Sequence, residues 1–223
     1  MTINKFNLIN IIFSIILCIN YSLPIRAETT LEEIKKTGLL KVGIRSDVIP
    51  FGYRDNDNEL RGICLDFIAS LKEQLKSEIN RNIITVKILI STLYNRFEIV
   101  EDKLVHLECG PNTIREISEY NVDFSQAFFV TGAKLLMKKD LANTFNNGGN
   151  LNGLTIGVLR YTTTEEFIKN KYPKAKLEFF QGVKGSLRAI QAVQQGRIDG
   201  FANDGILLIG ESILLRVPLN ADY

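Results

Sequence analysis

The chain has 223 residues, of which 45% are hydrophobic and 23% are charged, so it can bury a core without metal ions or disulfides. It carries 27 basic and 25 acidic residues and a formal charge of +2. This balance gives no basic surplus for binding nucleic acid or an anionic membrane surface.

Residues 1–27 differ from the rest of the chain. Lys5 precedes the apolar run LINIIFSIILCI (8–19), and the small residue Ala27 ends a plausible cleavage site. This order is typical of a secretory signal peptide. A membrane anchor is the alternative, but a span needs about 20 apolar residues, and this run is shorter. We therefore predict export and removal of residues 1–27, which would leave equal numbers of basic and acidic residues.

Helices and strands alternate along the first half of the remaining chain. TTLEEIKKTG (29–38) predicts a helix that begins with a capping box at Thr30 and Glu33 and ends at Gly38. The apolar run LLKVGI (39–44) predicts a buried strand. The next predicted elements are a helix at 65–79, a strand at 83–91, a short helix at 93–102 and a strand at 104–109.

The second half repeats this alternation after an irregular middle. VDFSQAFFVTGAKLLMKK (122–139) predicts two extended segments, and a polar loop at 143–153 follows. Strands are then predicted at 154–159, 175–180 and 198–204, and helices at 162–172, 186–196 and 205–215.

Strands separated by helices predict an α/β fold with two lobes, each a mostly parallel sheet flanked by helices. The extended segments in the middle of the chain are the natural crossing between them. We predict a first lobe at 28–130, a hinge or crossing segment at 131–139, and a second lobe at 140–223.

Candidate site residues follow the predicted strands, because open parallel sheets bind ligands beyond the carboxyl ends of their strands. A helix start offers free N–H groups to an anion, and an arginine can hold a carboxylate by two parallel bonds. A carboxylate can accept from an ammonium group. Together they predict a cleft for a free amino acid, whose two charges would both be paired. The candidates are Arg45, Phe51, Asn112, Thr113, Arg115, Thr163, Thr164 and Asp204.

Five of the candidates, Phe51, Arg115, Thr163, Thr164 and Asp204, also have an ordinary structural explanation. The threonines and Asp204 suit helix capping, Arg115 suits a surface ion pair, and Phe51 suits the core. Cys64 and Cys109 could form a disulfide after export, or they could be two buried thiols.

Signals for catalysis are weak. His106 is the only histidine, and its apolar strand pattern favours a packing role. No spacing of cysteine and histidine indicates a metal site, and no glycine motif indicates a nucleotide. The 25 acidic residues leave a site of two paired carboxylates open, but nothing singles out one pair. We predict a protein that performs no chemistry and needs no cofactor or metal.

Four stretches together resemble the bacterial extracellular solute-binding proteins of family 3. They are LLKVGIRSDVIPFGYRDNDNELRGICLDFIASL, LECGPNTIRE…VDFSQAFFVTGAKLLMKK, IGVLRYTTTEEF and AVQQGRIDGFANDGILL. The resemblance is colinear from about residue 31 to residue 215. It implies a type II periplasmic-binding-protein fold in a periplasmic monomer that delivers a polar amino acid to the permease subunits of an ABC importer. "RSDVIPFGY" and "ECG" point to the glutamate/aspartate branch of the family.

The resemblance also implies a role for most of the candidates. Phe51 would pack on the ligand, Asp204 would bind its α-ammonium, and Arg45 would meet an acidic side chain. The remaining implied contacts are to the α-carboxylate, from Thr163, Thr164 and the clamp candidate Arg115.

Departures from the family pattern keep alternatives open. The clamp arginine of the family would fall at Ser118, so Arg115 is displaced, and Val183 stands where the acidic branch has a histidine. A neutral polar ligand is therefore an alternative to glutamate. Family members also extend beyond the point where this chain stops, so we expect lobe one to be incomplete. A non-functional remnant, a dehydratase on the same scaffold and a sensor input lobe are the rival interpretations.

Overall fold

The structure is a computed structural model that describes residues 28–146 and 149–215. The predicted signal peptide lies outside the described residues. Within the described part of the chain, no helix combines the length and the apolar character needed to cross a bilayer.

The first half of the described chain forms a parallel three-stranded sheet in the order β5-β1-β6. The central strand β1 (Leu39–Arg45) follows helix α1 (Thr30–Thr37), which ends at Gly38 in the left-handed conformation. The other strands are β5 (Thr85–Ser91) and β6 (Leu107–Cys109), and the other helices are α2 (Ile63–Glu78) and α3 (Glu98–Glu101). A small antiparallel sheet, β2 (Asp47–Val48), β3 (Gly52–Arg54) and β4 (Leu60–Arg61), occupies the predicted turn.

The core of this half lies between the parallel sheet and its helices. Leu40, Val42 and Ile44 of β1 are fully buried because they alternate on the face that α2 covers. Cys64 in the first turn of α2 and Cys109 at the end of β6 form a disulfide, with 5.7 Å between their Cα atoms. The disulfide therefore ties the covering helix to the sheet.

The second half forms a mixed sheet in the order β7-β10-β8-β9. Its strands are β7 (Ala133–Met137), β8 (Thr155–Leu159), β9 (Lys176–Phe180) and β10 (Gly200–Asp204), and only β7 runs antiparallel to its neighbour. Its helices are α4 (Lys139–Asn146), α5 (Thr163–Lys171), α6 (Gly185–Gln194) and α7 (Gly205–Leu214). We call the elements α1 to β6 the first lobe and β7 to α7 the second lobe.

The structure departs from the sequence predictions at several places. Residues 122–130 form no strand; instead Phe128 and Phe129 pack on Phe51 of the first lobe. Helix α4 overlaps the predicted polar loop, and its Phe145 packs on Tyr172. The capping box of α1 lies at Thr29 and Glu32, one residue before the predicted pair.

Helix α7 connects the two cores. Leu207 packs in the core of the first lobe, and Leu208 packs in the core of the second lobe. Gly210 permits this approach, since a Cβ there would lie 2.6 Å from the backbone oxygen of Ile49. The helix therefore holds the carboxyl ends of both sheets close to one another.

Candidate functional site

A cavity of about 40 Å³ lies between the carboxyl ends of the two sheets. This volume holds roughly three water molecules, so the lobes are close together around it. Six of the eight predicted site residues line the cavity. They are Arg45, Thr113, Arg115, Thr163, Thr164 and Asp204.

The other two predicted residues lie outside the cavity lining. Phe51 is 2% exposed and meets the rings of Phe128 and Phe129 edge-on, at centroid distances of 6.2 and 5.3 Å. This placement agrees with the core role that was the alternative for Phe51. Asn112 points its amide at Glu108, donating to Oε2 at 2.5 Å.

Two of the arginines at the cavity already have carboxylate partners. Arg45 donates through Nε and Nη2 to the two carboxylate oxygens of Asp47, at 2.9 and 2.8 Å. Arg115 donates to Glu166 of α5 at 3.1 Å, and its side chain is partly exposed while that of Glu166 is mostly exposed. Exposed pairs of this kind are weak. Arg115 therefore joins its own segment to the second lobe.

A third arginine, Arg96, was missed in the sequence analysis. It lies between β5 and α3, is 8% exposed, and sits over the ring of Phe97 at 4.5 Å. Its Nη1 donates to the backbone oxygen of Leu93, and its Nε has no hydrogen-bond partner. Among the described residues, no carboxylate lies within ion-pair distance of it. Arg96 comes shortly after the predicted strand at 83–91, which could have marked it as a site residue, but the sequence placed it in the predicted short helix at 93–102.

The charge of Arg96 survives its burial. Burial, with the nearby positive charge of Arg45 and Arg115, lowers the pKa of Arg96 to about 10, while Glu108 opposes that shift. The guanidinium therefore remains protonated at neutral pH. A buried cation that lacks a direct partner is a strong site for a carboxylate, because little water competes for it.

The opposite side of the cavity carries Asp204 and the start of α5. Burial raises the pKa of Asp204, and the Thr164 hydroxyl opposes this shift. Asp204 precedes α7 without capping it by a side-chain hydrogen bond. Thr162 is the residue that caps α5, accepting from the Glu165 N–H at 3.2 Å, so Thr163 and Thr164 lie in the first turn. Thr163 meets Thr113 across the gap, with 3.1 Å between hydroxyl oxygens.

Glu211 of α7 is a buried carboxyl outside the lining of this cavity, and it makes stability depend on pH. Burial raises its pKa to about 7, Asp47 adds to the shift, and the Ser186 hydroxyl and Arg45 oppose it. The folded protein thus holds a proton that the unfolded chain has released above its ordinary pKa near 4.5. Its contribution to stability is full below about pH 4.5 and is lost as the pH rises through about 7.

We expect Glu211→Gln to abolish the fall in stability that the parent shows as the pH rises from about 4.5 through about 7. Relative to the parent, the variant should gain about 1–3 kcal/mol of unfolding free energy at about pH 8 and little at about pH 5. Urea titrations of both proteins at the two pH values measure the difference. Parallel pH dependence in the two proteins would contradict the assignment of Glu211 as a buried titrating group.

The geometry defines a class of protein. Two α/β lobes enclose a small cavity with guanidinium groups on one side and a helix start and a carboxylate on the other. That arrangement suits a protein that closes on a small zwitterion. His106 does not line this cavity. Its Nδ1 accepts from the Lys41 N–H, and its Nε2 lies 3.3 Å from Glu33.

Comparison with known proteins identifies the family. Residues 40–195 match the model for bacterial extracellular solute-binding proteins, family 3, and the chain belongs to this family. The family predicted from the sequence is thereby confirmed.

Individual relatives agree with the family match. The glutamate/aspartate import solute-binding protein of Escherichia coli K12 is 28% identical over 195 residues, which are 87% of this chain and 64% of the relative. The glutamine-binding protein of Geobacillus stearothermophilus is 27% identical over 183 residues, 81% and 66% of the two chains. This chain thus spans just under two thirds of the length of these curated relatives.

A solved structure confirms the fold. The ancestral amino acid-binding protein AncCDT-1, described as a precursor of cyclohexadienyl dehydratase, superimposes with a TM-score of 0.70 at 26% identity. The match covers 84% of this chain and 79% of that one. The type II periplasmic-binding-protein fold predicted from the sequence is confirmed.

Proposed function

We propose that this protein binds a free acidic L-amino acid between its lobes, as the periplasmic substrate-binding component of an amino-acid ABC importer. The observation that carries the proposal is the convergence of three guanidinium groups, from Arg45, Arg96 and Arg115, on a cavity that also contains Asp204. Family membership and the names of the relatives support it.

The binding mode follows from the distribution of charge. The α-carboxylate lies against the first turn of α5, where Thr163 and Thr164 supply hydroxyl and N–H donors. The α-ammonium meets Asp204. A side-chain carboxylate then lies toward Arg96, which is the arginine at the cavity without its own carboxylate partner among the described residues. Every charge of an acidic amino acid is thereby matched by an opposite one.

Lobe closure accompanies binding. Three hydrogen bonds between described residues bridge the gap: Thr113 with Thr163, Arg115 with Glu166, and the Gly182 N–H, which donates to the Tyr94 hydroxyl at 2.8 Å. The cavity is too small to admit a ligand with these contacts in place, so the lobes separate to load and close again around it. The closed face is the surface that the permease subunits recognise.

A thermal-shift screen of the twenty common amino acids on residues 28–223 tests this function. Binding to the folded state alone raises stability by about 2.7 kcal/mol when the ligand is at 100 times its Kd. We expect glutamate or aspartate to give the largest rise in Tm. A folded sample that responds to none of the twenty would overturn the proposal, and a response to glutamine alone would replace the acidic ligand by a neutral one.

Asp204→Asn provides the matched variant for the same screen. The neutral amide cannot form an ion pair with the α-ammonium of the ligand. Every amino acid, whatever its side chain, should therefore lose the rise in Tm that it gives with the parent. The exposed turn residue Asp57 offers the control, because Asp57→Asn makes the same chemical change away from the cavity.

We further propose that the bound amino acid is released unchanged. A dehydratase on this scaffold needs a general acid in the cavity, and Asp204, the carboxyl in its lining, is committed to the ligand ammonium. Incubation with a prephenate-like substrate should give no product. Product formation that is lost in Asp204→Asn would favour the enzymatic alternative.

A further inference from the structure

Glu108 of β6 is a half-buried carboxyl near the arginines of the proposed ligand site. It does not line the cavity, and the binding mode described above does not use it. Two donors hold its side chain: Ser91 Oγ donates to Oε1 at 2.7 Å, and Asn112 Nδ2 donates to Oε2 at 2.5 Å. This explains why Asn112, a predicted ligand residue, turns away from the cavity.

The sheet is built to make room for this carboxyl. Glu108 is aligned with Gly43 of the central strand β1, and Ser91 is aligned with Arg45. Ser91 and Glu108 are on the two outer strands, about 9.5 Å apart, so their hydrogen bond passes over β1. A Cβ at Gly43 would lie 2.9 Å from Glu108 Cγ and 2.9 Å from Ile99 Cδ1. The glycine therefore leaves the space that the bridge occupies.

Arg96 and Arg45 are the charged groups that face Glu108. Asp47 already neutralises Arg45 through two hydrogen bonds. Glu108 is consequently the counter-charge for Arg96, although no direct ion pair joins them. Burial raises the pKa of Glu108, and the hydrogen bonds from Ser91 and Asn112, together with the two arginines, oppose this shift.

We propose, on the basis of the function proposed above, that Glu108 is a positioning residue that decides between acidic and neutral ligands. When Glu108 is ionised, it balances Arg96, and the site favours an uncharged side-chain amide. When Glu108 takes up a proton from solvent, Arg96 is left for the side-chain carboxylate of the ligand.

Glutamate binding is then coupled to proton uptake. A ligand carboxylate at Arg96 raises the pKa of Glu108 further, so the complex binds a proton that the free protein had released. Affinity for glutamate rises as the pH falls, by up to about tenfold per pH unit within the titration range. Affinity for glutamine lacks this dependence, since its side chain brings no charge to Arg96.

Calorimetry on residues 28–223 at about pH 5.5 and about pH 8 measures this effect; the glutamate side chain stays ionised at both values. The readout is the ratio of the Kd for glutamine to the Kd for glutamate. Titration of Asp204 cancels in the ratio, because Asp204 meets the α-ammonium that both ligands share. We expect the ratio to be larger at the lower pH, by up to about tenfold for each pH unit over which Glu108 titrates.

Glu108→Gln separates charge from structure. The amide keeps the size of the side chain and can still bond to Ser91 and Asn112. The variant should hold the high glutamate preference at both pH values and take up no proton on binding, as measured in buffers of different ionisation enthalpy. Glu211→Gln is the matched control, since it neutralises a second carboxyl whose pKa burial raises and should leave the pH dependence of the ratio in place.

The outcomes distinguish this inference from the function on which it rests. If the parent protein binds no amino acid, the proposed function fails first. If the parent binds both ligands and Glu108→Gln leaves the pH dependence of the ratio unchanged, the role of Glu108 is wrong and the proposed function stands. A ratio that becomes flat in Glu211→Gln would assign the effect to the other carboxyl and would also overturn the inference.

Discussion

Replacing Arg96 by glutamine is expected to weaken glutamate binding by about 100-fold, because truncating one partner of a buried charge pair costs about 2–5 kcal/mol. The ligand carboxylate would then be buried against a neutral amide. The free protein should stay folded, since the substitution removes a desolvated cation, and Glu108, which loses this counter-charge, takes up a proton more readily. Titration calorimetry gives the Kd, and the thermal midpoint of the free protein checks the fold.

Arg115→Gln is the matched control for this experiment. Arg115 also lines the cavity, but it is partly exposed and already paired with Glu166. Exposed pairs contribute about 0.2–1 kcal/mol, so we expect its loss to weaken glutamate binding by only a few-fold. If Arg115→Gln has the larger effect, the side-chain role belongs to Arg115, and the assignment of Arg96 is wrong.

Most of the fold could be predicted because its signals are local. The buried strand at 39–44, the helix that follows at 65–79 and the repeated alternation in the second half all match elements of the structure. The errors are local as well. Thr29–Glu32 and Thr30–Glu33 have the same spacing, so a capping pattern alone could not choose between them. The extended segment at 122–130 depended on a pairing partner that no local pattern reveals.

The site was predictable to the extent that it follows from topology. Parallel strands place their carboxyl ends at one edge, which is why Arg45, Thr163 and Asp204, far apart in sequence, line one cavity. Side-chain partners do not follow from topology. No local pattern indicates that Arg45 would form an ion pair with Asp47 or that the Asn112 amide would donate to Glu108.

The disulfide is the second feature with a large expected effect. It closes a loop between residues 45 positions apart, for which the loss of chain entropy in the unfolded state corresponds to about 4 kcal/mol. Cys64→Ala combined with Cys109→Ala should therefore lower the unfolding free energy by about that amount, a fall in Tm of roughly 8–16 °C. Urea titration and a thermal melt of parent and variant measure it.

A reduced sample of the parent protein is the control for lost packing, because it keeps both sulfur atoms and breaks only the bond. If reduction and the double substitution destabilise equally, the cross-link carries the effect. A change below about 1 kcal/mol in both would contradict the chain-entropy argument.

Binding of the ligand should also weaken without the disulfide, since Cys109 follows Glu108 and begins the segment that carries Thr113 and Arg115. Releasing the end of β6 from α2 would loosen the support of the ligand site, so the unlinked protein should bind glutamate more weakly than the oxidised one, even at temperatures where both are folded.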